Sequence, residues 1–199
     1  MMDKQEWGDK MSESKLTKKV IGDALMDFCE EKSFTKISIQ DLTKKVGLNR
    51  QTFYYHFSDK HDLLRWVYFE HSLCYLKSEN LSLENWEEQA LKMLKAMKEK
   101  STFYLNTVTA DPEILMNEFS EITQELFISL FNQMDEEKQL SKKDKYFYAR
   151  FFSYGCSGVL TNWILEGYQE SPLEIATQLF RLAQDIEFFS YRLYSQNET

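Results

Sequence analysis

Apolar residues recur three and four positions apart through most of the chain, which is the spacing of one face of an α-helix. Two short groups of this kind fall within residues 38–60: Ile39, Leu42 and Val46, and then Phe53 and Phe57. Between the groups stands Gly47, a residue that readily adopts the left-handed conformation that ends a helix. The pattern therefore predicts two short helices separated by a glycine turn.

Polar residues at the edges of these groups mark where each helix begins. Ser38 and Asp41 have the spacing of a capping pair, in which each side chain accepts a hydrogen bond from the other residue's backbone N–H. Asn49 is a good N-cap for a second helix that starts at Arg50. These caps predict where both helices start from local chemistry alone.

The second helix has a polar face opposite its two phenylalanines. Every residue on that face can donate a hydrogen bond in some protonation state: Arg50, Gln51, Thr52, Tyr54, Tyr55 and His56. This is the layout of a helix-turn-helix, whose second helix enters the major groove of DNA. Arg50 can pair with guanine and Gln51 with adenine. Four residues can reach phosphates instead: Thr52, Tyr54, His56 and Lys60. The alternative is a helical hairpin whose polar face only contacts water.

Longer periodic segments account for the rest of the chain. Their expected bounds are about 15–32, 59–79, 84–100, 102–109, 112–134, 143–166 and 171–194. Pro112 and Pro172 suit the first turn of the helices that they open. The chain has only two prolines and six glycines. We therefore predict an all-α fold, with an N-terminal three-helix helix-turn-helix domain and a C-terminal helical bundle.

The pattern divides the chain into three segments. Residues 1–13 are polar and aperiodic, which predicts a flexible N-terminal arm, and Met11 could be the native start instead of Met1. Residues 14–65 would form the helix-turn-helix domain. Residues 66–199 would form a helical domain for regulation and dimerisation.

The net charge of −8 looks wrong for a DNA-binding protein, but the charge is unevenly distributed. Residues 1–64 carry 11 basic and 11 acidic side chains, whereas residues 65–199 carry 13 and 21. Within residues 36–60 there are five basic side chains and two acidic ones, and such a patch is typical of a nucleic-acid site. Three lysines near the start of the first long helix are candidates for phosphate contacts or for plain solvation: Lys15, Lys18 and Lys19.

Several other classes of protein lack support in the sequence. No apolar run reaches 18 residues and no apolar signal region is present, so we expect a cytoplasmic protein without a membrane span. The three cysteines have no metal-like spacing and His71 has no second histidine near it, so we expect neither a metal nor a cofactor. We find no Gly-rich phosphate loop, HExxH motif or nucleophile elbow, so we expect no catalytic residues and no enzyme.

The last two helices carry a second signal. Apolar residues of the final helix step by four and three positions, the narrow seam of paired helices: Ile175, Leu179, Leu182, Ile186 and Phe189. In the helix before it, Gly155 and Gly158 would let another helix approach closely, and Phe151 and Tyr154 would add aromatic contact area. We expect these residues to form a four-helix interface between two copies of the chain. The alternative is burial within one subunit.

A denser pattern covers residues 14–65. Its ordered positions are Thr17, Ile21, Ala24, Leu25, Phe28, Ile37, Ser38, Leu42, Val46, Gly47, Leu48, Thr52, Phe53, Tyr54, His56, Phe57, Lys60, Leu63 and Leu64. In these positions the chain resembles the DNA-binding domain of the TetR family of bacterial regulators. The family usually has Ser or Thr where Asn49 stands, and a small residue where Gln51 stands.

The resemblance implies a homodimeric regulator that binds double-stranded DNA, and it places Gln40 on the DNA side. The candidate DNA-binding residues are then Ser38, Gln40, Asn49, Arg50, Gln51, Thr52, Tyr54, Tyr55, His56 and Lys60. In TetR-like proteins the middle helices usually enclose a small-molecule pocket. Here the candidates for its lining are Met93, Met97, Phe103, Tyr104, Phe119 and Phe127, although such residues fill a plain core equally well.

The segment from Tyr148 to Leu179 is similar to the C-terminal region of a TetR subgroup that includes dihydroxyacetone-kinase operon regulators. That similarity implies a transcriptional activator whose signal comes from a protein partner. Two alternatives therefore stay open: a repressor whose small-molecule effector favours one of two conformations, or an activator controlled by a regulatory protein.

Overall fold

The computed structural model describes residues 4–77, 85–134 and 140–182, and within these ranges the chain forms α-helices and short 3₁₀ turns. The helices are α1 (Lys4–Glu31), α2 (Ile39–Lys45), α3 (Arg50–His56), α4 (Lys60–His71), α5 (Trp86–Glu99), α6 (Ser101–Ala110), α7 (Pro112–Met134), α8 (Lys142–Leu165) and α9, which is described over 172–182. The 3₁₀ turns are Phe34–Lys36 and Leu73–Lys77. The prediction of an all-α fold is confirmed.

The caps expected around α2 and α3 are present. Ser38 Oγ accepts a hydrogen bond from Asp41 N at 3.1 Å, and Asp41 Oδ2 accepts one from Ser38 N at 3.0 Å. Gly47 follows α2 with a φ of 69°, which is the left-handed conformation. Asn49 Oδ1 then accepts from Thr52 N at 2.8 Å and starts α3. Short-range chemistry thus determines the turn between the two helices.

Helix α1 begins much earlier than predicted. It starts at Lys4 instead of at about residue 15, so residues 4–13 are helical. Lys, Gln, Glu and Met are frequent in this stretch and proline is absent from it, so helix propensity favours a helical backbone. The missing apolar stripe led to the wrong prediction, because periodicity detects only helices with a buried face.

The helix expected over 59–79 ends at His71 instead. Ser72 Oγ donates a hydrogen bond to Tyr68 O at 3.2 Å and accepts one from the Tyr104 hydroxyl at 2.7 Å. The backbone of Ser72 leaves the helical region with a φ of −138°, and the chain continues as a 3₁₀ turn. A hydrogen bond from another helix therefore accompanies the break, and the periodicity of the sequence could not reveal it.

The later helices begin where their start signals predicted. Pro112 is the first residue of α7. Ser141 Oγ accepts from Asp144 N at 3.1 Å at the start of α8. Ser171 Oγ accepts from Glu174 N at 3.2 Å at the start of α9. These caps satisfy backbone N–H groups that have no partner inside their own helix.

Aromatic side chains hold α7 and α8 together as an antiparallel pair. The ring centroids of Phe127 and Phe152 lie 5.6 Å apart, and those of Phe131 and Tyr148 lie 6.1 Å apart. The pairing runs in opposite directions along the two helices, since the later residue of α7 contacts the earlier residue of α8. Helix α8 therefore has one face fixed against α7.

One hydrophobic core runs from the first helices into the last ones. Helix α4 is central to it, because it packs against α1 and also against α7. At Gly22 of α1 the approach is very close: an added Cβ would lie 2.8 Å from a ring carbon of Trp66 and 3.1 Å from a methyl of Val67. The domain boundary expected between residues 65 and 66 thus falls inside a helix that both parts share.

Candidate nucleic-acid interface

Helix α3 is held in place by two phenylalanines on its inner face. The side chain of Phe53 is fully buried and that of Phe57 nearly so. Their ring centroids lie 5.7 Å apart, and the ring of Phe57 meets that of Trp66 on α4 at 5.8 Å, edge to face. This packing fixes a short helix that could not be stable alone, since seven residues make too few hydrogen bonds.

The outer face of α3 is open to solvent. Arg50 and Gln51 are exposed, and the exposed fractions of Tyr54 and Tyr55 are 51% and 78%. His56 is half-buried, and its pKa is lowered by burial and then by the ammonium of Lys18 on α1. A neutral imidazole can still donate one hydrogen bond. The structure thus presents donors of several kinds on one side of a single rigid helix.

Three of the expected DNA contacts are also engaged in capping. Asn49 Oδ1 accepts from Thr52 N at 2.8 Å and from Thr52 Oγ1 at 3.1 Å. Ser38 is the N-cap of α2, and it shares Asp41 with Lys32, whose ammonium lies 3.0 Å from the carboxylate. The backbone N–H of Ser38, followed by the Lys32 ammonium, lowers the pKa of Asp41 to about 2. These side chains keep the two helices aligned whether or not they contact DNA.

Lys60 requires a correction. Its ammonium was expected to reach a phosphate, but Nζ donates hydrogen bonds to Phe34 O at 2.8 Å and to Ile37 O at 2.9 Å. It also lies 4.3 Å from the centroid of the Phe34 ring, and burial lowers its pKa. The position at the start of α4 suits an anion contact, but two of the three ammonium donors are already bound by carbonyls of the neighbouring turn.

The positive patch is therefore smaller than the sequence count suggests. Besides Lys60, Lys45 is engaged within the protein, because its ammonium lies 3.0 Å from the carboxylate of Asp27. Lys36, Lys44 and Arg50 are exposed.

Of the three lysines early in α1, Lys18 adjoins the end of α3, with its ammonium 5.4 Å from the ring centroid of Phe57. Lys19 instead pairs with Asp23 at 2.7 Å. Gln40, at the start of α2, is exposed beside this patch.

A second exposed surface lies on α8, opposite its contact with α7. The exposed fractions of Phe151 and Tyr154 are 64% and 58%. An added Cβ at Gly155 or Gly158 would meet no atom within 4 Å, so these glycines face open space. The apolar residues are spaced as one stripe of a helix, and the stripe has no cover from the described part of the chain.

The apolar seam expected on α9 is only partly exposed, unlike the stripe on α8. Ile175 is 3% exposed and belongs to the core of the subunit, and Leu179 packs against the same core. Contact within the subunit therefore accounts for the spacing at Ile175, because four-three steps also occur where helices of one chain pack together. Leu179 is only partly buried, so its expected role in a dimer interface stays a prediction. Leu182 is 39% exposed. Ile186 and Phe189 lie outside the described residues.

The residues expected to line a pocket are interior. Five of them are buried in the main core: Met93, Met97, Phe103, Tyr104 and Phe119. Phe127 is partly buried and packs against this core and against a smaller buried cluster formed by Phe131 and Ala149. In the same interior, the hydroxyls of Thr161 and Tyr168 are buried and have no hydrogen-bond partner among the described residues. Sequence analysis missed these two hydroxyls, since nothing in the sequence distinguishes a satisfied from an unsatisfied group.

Two other features, a metal site and a membrane span, are absent from the described residues. In the described ranges, His, Cys, Asp and Glu side chains form no group of three that could hold a metal ion. No helix in those ranges has the length and apolar character needed to cross a membrane.

Comparison with known families matches both halves of the chain. Residues 21–67 match the model of bacterial regulatory proteins of the tetR family. Residues 84–185, just over half of the chain, match a model described as the C-terminal region of a TetR-type transcriptional regulator. This chain belongs to the TetR family. The family models describe regulatory proteins, and the predicted helix-turn-helix fold is confirmed.

One curated relative is described as a transcriptional activator. The HTH-type dhaKLM operon transcriptional activator DhaS of Lactococcus lactis subsp. lactis (strain IL1403) is 30% identical over 101 residues. The match covers 51% of this chain and 54% of that relative, so the chain spans about half the length of the curated relative.

Solved structures share the fold. A structure of the dihydroxyacetone kinase operon activator DhaS has a TM-score of 0.64 at 22% identity, and the match covers 87% of this chain and 97% of that one. The fatty acid degradation regulator FadR from Bacillus halodurans has a TM-score of 0.57 at 16% identity, with coverage of 83% and 93%. At these identities the likeness concerns the fold alone.

Proposed function

We propose that this TetR-family regulator acts as a homodimer that places two copies of α3 in major grooves of a near-palindromic operator. The observation that carries the proposal is the exposed, donor-rich face of α3 above its buried phenylalanines. In this arrangement Arg50 and Gln51 read base edges, while Thr52, Tyr54 and His56 contact the backbone. Lys60 is left out of the DNA contacts because its ammonium is bound inside the protein.

The distribution of charge supports specific binding over general attraction to nucleic acid. Residues 65–199 carry 21 acidic and 13 basic side chains, so most of the molecule repels DNA. The positive residues near α3 are few, and Lys45 is already paired. Affinity must therefore depend on contacts made by one helix and its immediate neighbours, which makes it sensitive to the base sequence.

The exposed stripe of α8 supports the dimer. A contiguous apolar surface rimmed by polar residues usually marks an interface. Phe151 and Tyr154 supply area for such a contact, and Gly155 and Gly158 leave room for a second helix to approach closely. Pairing α8 with its copy would bury the stripe and fix the distance between the two copies of α3.

Control by a small molecule is the first mode of regulation that we propose. The buried hydroxyls of Thr161 and Tyr168 support it, because unpaired buried hydroxyls are costly and usually meet a partner. An effector that bonded to them in only one conformation would shift the spacing of the recognition helices. Residues 66–199 would then form the regulatory and dimerisation part, and residues 14–65 the DNA-binding part.

A second candidate is a transcriptional activator controlled by a protein partner. The 30% identity to DhaS, an activator of the dhaKLM operon, favours this alternative. The complete burial of Met93, Met97, Phe103 and Tyr104 also favours it, because a tightly filled interior leaves less room for a ligand.

The test of DNA binding uses the full-length protein and a duplex selected in vitro from a randomised pool. We expect a near-palindromic sequence, a complex with two chains per duplex, and retardation that persists in the presence of competitor DNA. Selection of no sequence, or a complex with one chain at micromolar concentration in sedimentation, would overturn the proposal.

A second experiment separates the two modes of control. Release of the duplex by a compound from a metabolite panel, with the response lost in Tyr168→Phe, supports the effector. Copurification of one protein from the native host, together with increased expression of a reporter, supports the activator.

A further inference from the structure

The side chain of Asn106 joins the two halves of the chain. Asn106 lies on α6, inside the segment matched by the C-terminal family model. Its amide Nδ2 donates to Cys29 O at 2.7 Å and to Lys32 O at 2.9 Å. Its Oδ1 accepts from Phe34 N at 2.8 Å. All three partners belong to the segment matched by the N-terminal model.

Two of these bonds cap the end of α1 from outside, and the third holds the turn that follows it. The last carbonyls of a helix have no acceptor role within the helix and need an external donor. Here the donor is one amide that belongs to a different part of the fold. Asn106 is half-buried, so its bonds are partly protected from competition with water. The end of α1 can therefore keep these bonds only while α6 stays in its present position.

The segment that follows α1 is also fixed from its other side. Lys60 on α4 donates to Phe34 O and to Ile37 O, so the turn Phe34–Lys36 lies between two side chains of different helices. Phe34 takes part in both sets of bonds, through its N–H to Asn106 and through its carbonyl to Lys60. Helix α2 begins two residues after this pair of contacts, and α3 follows it.

Helix α6 is tied to α4 as well. The Tyr68 hydroxyl donates to Thr107 Oγ1 at 2.7 Å, and the Tyr104 hydroxyl donates to Ser72 Oγ at 2.7 Å. The rings of Tyr68 and Tyr104 stack with centroids 5.5 Å apart. These buried contacts leave α6 little freedom to move without moving α4. A shift of α6 would therefore disturb both α4 and the end of α1.

We propose that Asn106 is a positioning residue through which the C-terminal part of the chain sets the orientation of the helix-turn-helix. A displacement of α6 breaks the bonds to α1 and releases the turn that precedes α2, so α3 loses its fixed position. The inference rests on the proposed DNA binding, but it is independent of whether the signal is a small molecule or a protein. By reciprocity, binding of DNA at α3 must also stabilise α6.

The test measures that reciprocal effect by hydrogen–deuterium exchange in the full-length protein, with and without the selected duplex. In the wild type we expect the duplex to slow exchange at least about threefold in both α2–α3 and α6, although α6 contacts no DNA. In Asn106→Ala the protection of α2–α3 should persist at saturating duplex while that of α6 is lost. The affinity for the duplex should fall roughly fivefold or more.

Thr102→Ala is the matched control, since Thr102 lies one turn earlier on α6 and is exposed. It should retain wild-type affinity and wild-type protection of α6. A purely structural role for Asn106 would lower the thermal stability but leave the duplex-dependent protection of α6 intact, and that result would overturn the inference. Should Asn106→Ala not fold, the wild type alone decides: protection of α2–α3 without protection of α6 also overturns it. Failure of the wild type to bind any duplex would instead remove the proposed function.

Discussion

Helices α3 and α8 both carry exposed aromatic side chains, but the two surfaces have opposite chemistry. On α3, Tyr54 and Tyr55 stand beside charged and amide side chains. On α8, Phe151 and Tyr154 stand beside two glycines and open space. The first surface is rich in hydrogen-bond donors, and the second is mostly apolar.

This difference indicates different partners. Donors on α3 gain most from a hydrated, negatively charged surface, where each lost water is replaced by a phosphate or a base edge. The apolar stripe on α8 gains most from a dry contact, because its stabilisation scales with the apolar area removed from water. One exposed aromatic residue is therefore weak evidence for a particular kind of partner, and the residues beside it on the helix indicate which kind it is.

The largest effect is expected from removing the support beneath the polar surface. Phe53→Ala should destabilise the protein by about 3–5 kcal/mol, because it leaves a cavity under a helix of two turns. Urea unfolding measures the change. Tyr55→Ala is the control, with an expected change within about 0.5 kcal/mol, since Tyr55 is 78% exposed. Equal losses in the two variants would contradict the packing described for α3.

Placing a charge in the apolar surface should have the next largest effect. Phe151→Asp should weaken self-association by about 2 kcal/mol or more, because the carboxylate would lose its water in the contact. Sedimentation over a range of concentrations would show the shift from two chains to one. Thr109→Asp puts the same charge at an exposed position of α6 and should leave association unchanged. Unaltered association in Phe151→Asp would remove α8 from the interface.

The corrected role of Lys60 gives a smaller effect that separates stability from DNA contact. Lys60→Met should lower stability by about 1.5–3 kcal/mol, since two carbonyls lose a charged donor. The salt dependence of DNA binding should keep its slope, whereas loss of a phosphate contact would reduce that slope by about 1. Lys44→Met, at an exposed position on α2, should leave stability at the wild-type value. A reduced slope in Lys60→Met would restore the original assignment.

The smallest change concerns selectivity within the polar surface. Arg50→Ala should cost about 1–3 kcal/mol at particular base pairs and relax the preference there. Tyr54→Ala should weaken binding by a similar factor on every sequence. Binding to a library of single-substitution duplexes distinguishes the two patterns. A uniform loss in Arg50→Ala would mean that Arg50 contacts the backbone instead of a base.

Features determined by neighbouring residues could be predicted from the sequence. The capping pair Ser38–Asp41, the left-handed Gly47 and the N-cap Asn49 each depend on a few residues in a row. Such interactions are present in any fold that contains the segment. The helix-turn-helix and its exposed donors followed from them directly.

Features that depend on distant parts of the chain could not be predicted from the sequence. The acceptors of Lys60 lie 23 and 26 residues away, and those of Asn106 lie more than 70 residues away. Ile175 has the spacing of an intermolecular seam, yet its side chain is buried within the same subunit. Periodicity shows that a face is covered, but only the three-dimensional fold shows what covers it.

The shared position of α4 has a practical consequence for anyone who wishes to isolate the DNA-binding part. A fragment that stopped at residue 65 would cut α4 midway and strip Val67 and Tyr68 from the side chains around them. A fragment that ran to the end of α4 would expose to water the apolar side of α4 that is buried in the whole chain. The smallest piece suited to crystallisation with an operator is therefore expected to retain α6, so that both tyrosine–hydroxyl pairs and the Asn106 cap stay intact.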